Sequence, residues 1–157
     1  MQKLSPSGFP VLNMLNTRYF IFPLKGGKTV PIRNPHTLGN AWFVNEVQYV
    51  DNANEEIDAL HRIDPAKTAV VDKKFSAEVK SAAETDTLGT IKLTAYEPND
   101  LKYEVNSKTG GTVVFSEIYY PGWQAYIDGV EAPHGRADYI LRAMNVPAGK
   151  HVVEFKF

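Results

Sequence analysis

The sequence predicts a mainly β protein in which a β-sandwich follows a small mixed α+β segment. Ten prolines and eleven glycines divide the 157 residues into short runs. These runs are rich in Val, Ile, Thr, Tyr and Phe, the residue types that suit a pleated, half-buried surface. Seven strand patterns fall within residues 88–157, a density typical of a jelly-roll or immunoglobulin-like sandwich.

The first part of the chain, residues 1–74, is predicted to mix helix and strand. Residues 9–16 carry apolar side chains at helical spacing, and residues 18–23 alternate as a strand that enters a Gly-Gly turn. The stretch around residues 72–76 contains neither Gly nor Pro. We therefore expect two subdomains packed together here rather than a flexible linker.

A strand, a helix and another strand are predicted later in this first part. Residues 42–50 alternate as a single strand with one slip of register, which a β-bulge would explain. Asn52 and Glu55 have the spacing of a helix capping box, so a helix is expected over residues 53–62. Residues 68–71 then have the composition of a strand.

The second part, residues 75–157, is predicted to be the sandwich. Alternating runs on either side of a Pro-Asn-Asp turn predict a hairpin over residues 91–105. Residues 112–115 are apolar on both faces, as expected of a central strand between two covered surfaces. Residues 139–146 and 152–157 complete the set of strand patterns.

Two turns in the second part have the most distinctive chemistry. Pro121 and Gly122 form a tight corner that ends one strand, and Trp123 follows it directly. Asp128 and Gly129 can both adopt the positive φ angles of a type I′ hairpin turn. We expect these five residues to determine the fold.

Composition excludes several classes of function. Seventeen Lys and Arg against eighteen Asp and Glu give a net charge of -1, so no overall field attracts nucleic acid. The absence of cysteine excludes disulfides, thiolate nucleophiles and Cys-based zinc sites. No apolar run approaches the roughly 18 residues of a membrane span, so the chain itself is expected to be soluble.

Motifs for catalysis, cofactors and metals are missing from the sequence. There is no Gly-x-Ser-x-Gly elbow, no P-loop, no Gly-x-Gly-x-x-Gly fingerprint and no Asp-x-Asp pair. The four histidines are far apart and follow no ligand spacing. We therefore expect no catalytic residue, no metal and no cofactor in this chain.

Aromatic residues give the remaining candidate site. Tyr119, Tyr120 and Tyr126 crowd one segment, and exposed rings on a β-sandwich can stack on sugar faces. The alternative is that these tyrosines are half-buried with only their hydroxyls in water. Trp123 is expected in the core, because it shares its strand face with apolar residues.

Residues 117–129 read Glu-Ile-Tyr-Tyr-Pro-Gly-Trp-Gln-Ala-Tyr-Ile-Asp-Gly. This block resembles the C-terminal extracytoplasmic region of the YfhO family of bacterial multi-spanning membrane proteins. Four further stretches are similar to that family, and together they extend the resemblance over nearly the whole chain: residues 13–20, 34–43, 141–151 and 153–155.

The resemblance implies a function for the parent protein and a place for this chain in it. The parent is similar to integral-membrane glycosyltransferases that use lipid-linked sugar donors. This chain would then be a non-catalytic accessory domain on the extracytoplasmic side of the bacterial cytoplasmic membrane, periplasmic or at the cell surface. Its implied partners are the membrane-embedded part of the same chain and a cell-envelope glycan, whose positioning it would aid.

Two other functions remain open at this point. The chain could be an independent carbohydrate-binding module, or a purely structural domain that contacts proteins or membrane segments. A sugar site predicts a shallow groove with exposed rings and polar neighbours, whereas a scaffold predicts buried rings and an exposed apolar patch.

Overall fold

The computed structural model describes residues 9–84, 86 and 88–157, and β-strands dominate them. The helices are α1 (Pro10–Met14) and α2 (Ala53–Ala59), and a 3₁₀ turn spans Lys73–Phe75. The strands are β1 (Tyr19–Pro23), β2 (Thr29–Arg33), β3 (Ala41–Val44), β4 (Glu46–Val50), β5 (Thr68–Asp72), β6 (Thr90–Glu97), β7 (Asp100–Ser107), β8 (Gly111–Ile118), β9 (Gln124–Ile127), β10 (Val130–Ala132), β11 (Gly135–Ala137), β12 (Leu141–Val146) and β13 (Gly149–Lys156).

Two antiparallel sheets form the sandwich that the sequence predicts. The five-stranded sheet has the order β10-β9-β13-β7-β6, and the four-stranded sheet has the order β11-β12-β8-β3. Two smaller units complete the described residues: the hairpin β1-β2 and the parallel pair β4-β5. The prediction of a mainly β fold is confirmed.

The core between the two sheets is built on three aromatic rings. Tyr103, Phe115 and Phe155 are fully buried, and their ring centroids are 4.9 to 6.3 Å apart in edge-to-face contacts. Such contacts add to the free energy gained by burying the rings. Val113 and Met144 pack into the same cluster from the four-stranded sheet.

A second core lies on the other face of the four-stranded sheet. Val114, Leu141 and Ala143 are fully buried there, against residues of α1, α2, β4 and β5. Successive side chains of a strand point to opposite faces, so β8 and β12 are covered on both sides. The prediction that residues 112–115 form a central strand is confirmed, because β8 lies between β12 and β3.

The prediction of one bulged strand over residues 42–50 is wrong. The chain forms β3 up to Val44 and β4 from Glu46, and the two strands belong to different sheets. The backbone N–H groups of Asn45 and Glu46 both donate to the carbonyl oxygen of Lys67, at 2.7 and 3.1 Å. The slip of register therefore marks a change of sheet.

The strand predicted over residues 139–146 begins two residues later, at Leu141. Asp138 and Tyr139 have φ angles of 51° and 72°, which no strand can accommodate. The N–H of Tyr139 donates to a carboxylate oxygen of Glu56 at 2.9 Å, and this tertiary bond accompanies the irregular backbone. The short strands β2 and β11 were not predicted from the sequence.

Asn52 caps α2 as predicted, but Glu55 accepts from the Asn52 side chain and the Asp51 N–H rather than from the Asn52 N–H of a full capping box. Asn52 Oδ1 accepts the N–H groups of Asn54 and Glu55 at 3.0 and 3.1 Å, and Glu55 Oε1 accepts from Asn52 Nδ2 at 3.1 Å. The helix is shorter than the predicted 53–62, because it ends at Ala59 and continues as a turn. The first helix is also shorter than predicted.

The boundary between residues 74 and 75 stays a prediction. Backbone hydrogen bonds cross it, since β3 from the first part pairs with β8 from the second. Trp42 lies opposite Val114 in this pairing, and its indole N–H donates to the carbonyl oxygen of Pro65 at 2.8 Å.

Candidate functional site

A polar groove lies on the outer face of the five-stranded sheet, and we call it the outer groove. Every second residue of β6, β7 and β13 points away from the core. The register places these outward residues in two rows across the strands, Lys92–Glu104–Val152 and Thr90–Asn106–Lys150. They line a cavity of about 530 Å³ that is open to solvent.

Asp128 and His151 form one wall of the outer groove. Nδ1 of His151 lies 2.7 Å from Asp128 Oδ2, and its Nε2 lies 3.0 Å from the carbonyl oxygen of Ala148. Because both ring nitrogens face acceptors, the bond to Asp128 and the bond to Ala148 raise the pKa of His151. The same bond to His151 lowers the pKa of Asp128, which also accepts from the Val152 N–H at 2.8 Å.

The outer face continues beyond the groove with a charged row. Glu154 lies between two lysines, with its Oε1 2.9 Å from Lys102 Nζ and 3.3 Å from Lys156 Nζ. The hydrogen bond from Lys102 is the main cause that lowers the pKa of Glu154. Tyr126 stands opposite Glu154 in the register, and the Lys156 ammonium lies 5.3 Å from the centroid of its ring.

The outer face therefore offers one type of chemistry, which is polar recognition. Ammonium, amide, hydroxyl and carboxylate groups alternate over two rows, and Tyr126 adds an aromatic ring in the next row. Clefts that combine a few convergent polar groups with apolar surface are typical of small-molecule sites. Sequence reasoning missed these residues, because alternation gives the outward residues of each strand but not the register that brings the three strands together.

The three predicted tyrosines do not form one surface. Tyr119 is half-buried, with its ring 5.2 Å from Phe75 and 5.7 Å from His134. Tyr120 is 61% exposed, and its ring lies 6.3 Å from that of Phe157. Among the ring contacts of the described residues, none joins two of the three tyrosines. Of the three, only Tyr126 lies on the same outer face as the groove.

The Pro-Gly-Trp corner is a tight turn closed against the end of β13. Trp123 N–H faces the carbonyl oxygen of Tyr120 at 3.4 Å, and Gly122 between them has a φ of 112°. A Cβ at Gly122 would lie 2.9 Å from the ring of Phe157. The backbone conformation therefore requires glycine at this position, and a side chain here would also displace the exposed Phe157 ring.

The Asp128-Gly129 turn has the conformation that the sequence predicts. Asp128 has a φ of 52° and Gly129 a φ of 80°, as a type I′ turn requires. The turn joins β9 to β10 with Ile127 opposite Val130. Asp128 also bonds through its backbone N–H to the carbonyl oxygen of Val152, at 2.9 Å, which fixes the turn against β13.

A buried acidic cluster lies apart from the outer groove. Glu56 and Asp138 are completely buried, and an oxygen of Glu56 lies 2.6 Å from Arg136 Nη2. Burial is the main cause that raises the pKa of both carboxyl groups. Asp72 is 3.9 Å from the same Arg136 nitrogen. In the described part of the chain, no group of three His, Cys, Asp or Glu residues could hold a metal ion.

The fold defines this protein as a two-sheet β-sandwich domain with a polar groove on one outer face. The family model of the bacterial membrane protein YfhO matches residues 68–157, more than half of the chain, and the chain belongs to this family. The similar stretches at residues 13–20 and 34–43 lie outside the matched range. No curated protein and no solved structure matches the chain. Within the described residues, no helix has the length and apolar character needed to cross a membrane.

Proposed function

We propose that this chain is an extracytoplasmic accessory domain of a YfhO-family membrane protein and that it positions an acceptor glycan or polymer. Membership of a membrane-protein family supports the first half of this proposal. The outer groove supports the second half, because its two rows offer donors and acceptors to a polar ligand. The groove is the single observation that favours ligand binding over a purely structural role.

The groove residues have suitable chemistry for sugar hydroxyls. Lys92 and Lys150 supply ammonium donors, Glu104 supplies carboxylate acceptors, and Asn106 supplies both. The ring of Tyr126 lies in the neighbouring row, where a sugar face could stack once the Lys156 side chain moves aside. A groove this open suits a linear glycan that passes along it.

Catalysis is assigned in this proposal to the membrane-embedded part of the parent. The buried carboxyl groups Glu56 and Asp138 are enclosed in the core, and the outer groove holds ion pairs and hydrogen bonds between its own residues. We expect the purified chain to transfer no sugar from a lipid-linked donor. Turnover by the chain alone that is lost on mutation of one of its own carboxylates would overturn this assignment.

Glycan binding can be tested with matched variants. The double variant Lys92→Ala/Lys150→Ala and the single variant Tyr126→Ala should each weaken binding of cell-envelope glycans at least tenfold in a titration followed by NMR. Tyr120→Ala is the control, since Tyr120 is 61% exposed but packs on Phe157 at the far end of β13. Equal losses in all variants, or no binding by the wild type, would contradict the proposal.

The side of the membrane can be tested in the full-length protein. The domain contains no cysteine. Lys108→Cys at the exposed β7-β8 turn would therefore introduce a single thiol into the domain. The native cysteines elsewhere in the parent would first be replaced. A membrane-impermeant maleimide added to intact cells should label this thiol. Labelling only after the membrane is permeabilised would place the domain on the cytoplasmic side.

A further inference from the structure

The charge of the chain is divided unevenly along the sequence. Residues 1–45 contain five Lys and Arg and no Asp or Glu, whereas residues 46–157 contain twelve Lys and Arg and all eighteen acidic residues. The net charge of -1 therefore conceals a cationic first part and an anionic remainder. A cationic segment of this kind is attracted to a negatively charged surface.

The β1-β2 hairpin carries most of this positive charge together with exposed apolar side chains. Tyr19 is 59% exposed, Ile21 72% and Leu24 52%. Alternation and register place Tyr19 beside Arg33 and Ile21 beside Pro31 on one face of the hairpin. That face is apolar in the middle.

The other face of the hairpin is the one that contacts the rest of the protein. Phe20 and Phe22 are half-buried, and the ring of Phe20 lies 5.8 Å from that of Phe9. The hairpin pairs with no third strand among the described residues. A two-stranded sheet alone is marginally stable, so a surface that covers the exposed face would stabilise it.

Cations flank the exposed apolar face at both ends. Lys25 and Lys28 lie in the turn at the tip, and Arg18 and Arg33 lie at the base. All four side chains are exposed, and none forms an ion pair with another described residue. Apolar and aromatic side chains bordered by long cations are the pattern of segments that lie in a membrane interface.

A cavity at the base of the hairpin is also suited to a negatively charged group. It measures about 270 Å³ and is lined by Arg18, Arg33, Asn34 and Thr37, among others, without an acidic residue. Asn34 is held in place by bonds from its Nδ2 to Asn13 Oδ1 and to the carbonyl oxygen of Thr17, both 2.9 Å. Two guanidinium groups beside hydroxyl and amide groups suit a phosphate group.

We propose that the β1-β2 hairpin docks the domain on an anionic lipid surface. Tyr19 and Ile21 lie at the level of the lipid glycerol and upper acyl chains. Lys25 and Lys28 contact lipid phosphates at the tip, and Arg18 and Arg33 contact them at the base. The hairpin lies flat on the membrane. Its five-residue strands span about 17 Å, more than the thickness of the headgroup layer, so an upright hairpin would bury the cations at one of its ends among the acyl chains. The proposal does not depend on glycan binding in the outer groove.

Vesicle binding tests this proposal with the chain as it stands. Wild type should sediment with vesicles of phosphatidylcholine containing about one-third phosphatidylglycerol, and much less with phosphatidylcholine alone. Lys25→Ser/Lys28→Ser should weaken binding about thirtyfold at low salt, because each lysine near an anionic surface contributes about fivefold. Ile21→Ser should also weaken binding, whereas added inorganic phosphate should release little protein.

The matched control is Val130→Ser at the tip of the β9-β10 hairpin. Val130 is 71% exposed, almost the same as Ile21, but no basic residue accompanies it in its turn. A cysteine carrying an environment-sensitive dye gives a second readout, since the chain has no native cysteine. The dye at residue 21 should shift to the blue on anionic vesicles, and the dye at residue 130 should not.

Three outcomes would overturn the proposal. The first is equal binding of the wild type to neutral and anionic vesicles. The second is unchanged binding of the Ile21→Ser variant. The third is a self-association of the wild type that Ile21→Ser abolishes while vesicle binding is absent, which would identify a second copy of the chain as the occupant.

Discussion

The guanidinium carbon of Arg142 lies 4.0 Å from the centroid of the Trp123 ring. Arg142 belongs to β12 in the four-stranded sheet, and Trp123 leads into β9 in the five-stranded sheet, so this cation–π contact joins the two layers. Arg142 is 3% exposed, its Nε–H donates to the carbonyl oxygen of Ile118 at 3.0 Å, and its guanidinium also lies over the ring of Phe155, at 5.0 Å. The Pro-Gly-Trp corner thereby covers a buried charge.

Trp123→Ala should destabilise the domain by about 2–4 kcal/mol. The ring is half-buried, so we place the cost below that of a fully buried tryptophan, and its loss would also expose Arg142. Urea denaturation of wild type and variant measures the difference. Trp123→Phe should cost less than Trp123→Ala, because an aromatic face remains over the guanidinium.

Tyr120→Ala is the control for this measurement. Tyr120 is in the same corner but is 61% exposed, so its removal should change the free energy of unfolding by less than about 1 kcal/mol. An unchanged stability of Trp123→Ala would contradict a structural role for the Trp123 ring.

Gly129→Val should destabilise the domain by roughly 1–3 kcal/mol. Gly129 has a φ of 80°, and a Cβ there would meet no atom within 4 Å, so the cost comes from backbone strain alone. Gly129→Asn should cost less, because asparagine tolerates the left-handed conformation better than a β-branched residue does. Thermal unfolding of the two variants would rank them, and equal midpoints would contradict a strain-based cost.

Features that depend on neighbouring residues could be predicted from the sequence, and features that depend on distant contacts could not. The Asp128-Gly129 turn and the Asn52 cap follow from residues within one turn of each other. The change of sheet at Asn45 depends on the carbonyl of Lys67, more than twenty residues away. Periodicity alone therefore could not separate a bulge from a break.

The same distinction between neighbouring residues and distant contacts applies to the candidate site. Alternation predicts which residues of one strand face outward, but the outer groove needs the register between β6, β7 and β13. The clustering of Tyr119, Tyr120 and Tyr126 in the sequence suggested one aromatic surface. These residues span the end of β8, the corner and β9, so their rings point to different parts of the molecule.

Asp128→Asn should lower the pKa of His151 towards its ordinary value. The bond to Asp128 is the largest cause of the raised pKa, and the variant removes the negative charge. Asparagine suits a type I′ turn, so the hairpin should keep its conformation. An NMR titration of the His151 ring protons measures the shift.

The same pair makes a contribution to stability with a defined pH dependence. A raised histidine pKa stabilises the folded state below the unfolded value of about 6.5, and this contribution is lost as the pH rises through the folded pKa. As the pH rises through the folded pKa of His151, the wild type should lose this contribution. Asp128→Asn should lose less, because its His151 pKa lies nearer to the ordinary value. A His151 pKa that is identical in both proteins would contradict the role of Asp128.

Asp138→Asn should remove a penalty that grows as the pH rises. Asp138 is completely buried, its Oδ1 accepts the Val70 N–H at 2.8 Å, and its Oδ2 has no hydrogen-bond partner among the described residues. Burial is the main cause that raises its pKa to about 7, and nearby Glu56 adds to the shift. Asparagine tolerates the φ of 51° at this position and can keep the bond to Val70.

The direction of the change of stability with pH follows from which state of the protein binds the proton more tightly. Between the unfolded pKa of about 4 and the folded pKa of about 7, the folded state holds the proton more tightly, so stability falls as the pH rises. From about pH 5 to about pH 8 the wild type should lose roughly 3 kcal/mol relative to Asp138→Asn. His134, whose pKa is lowered by burial, is present in both proteins, whereas Glu56 is coupled to Asp138, so the difference reports Asp138 together with its effect on Glu56. Urea denaturation at the two pH values measures it, with Asp58→Asn on the exposed face of α2 as the control. A difference between wild type and Asp138→Asn that stays constant with pH would mean that Asp138 is ionised in the folded protein throughout this range.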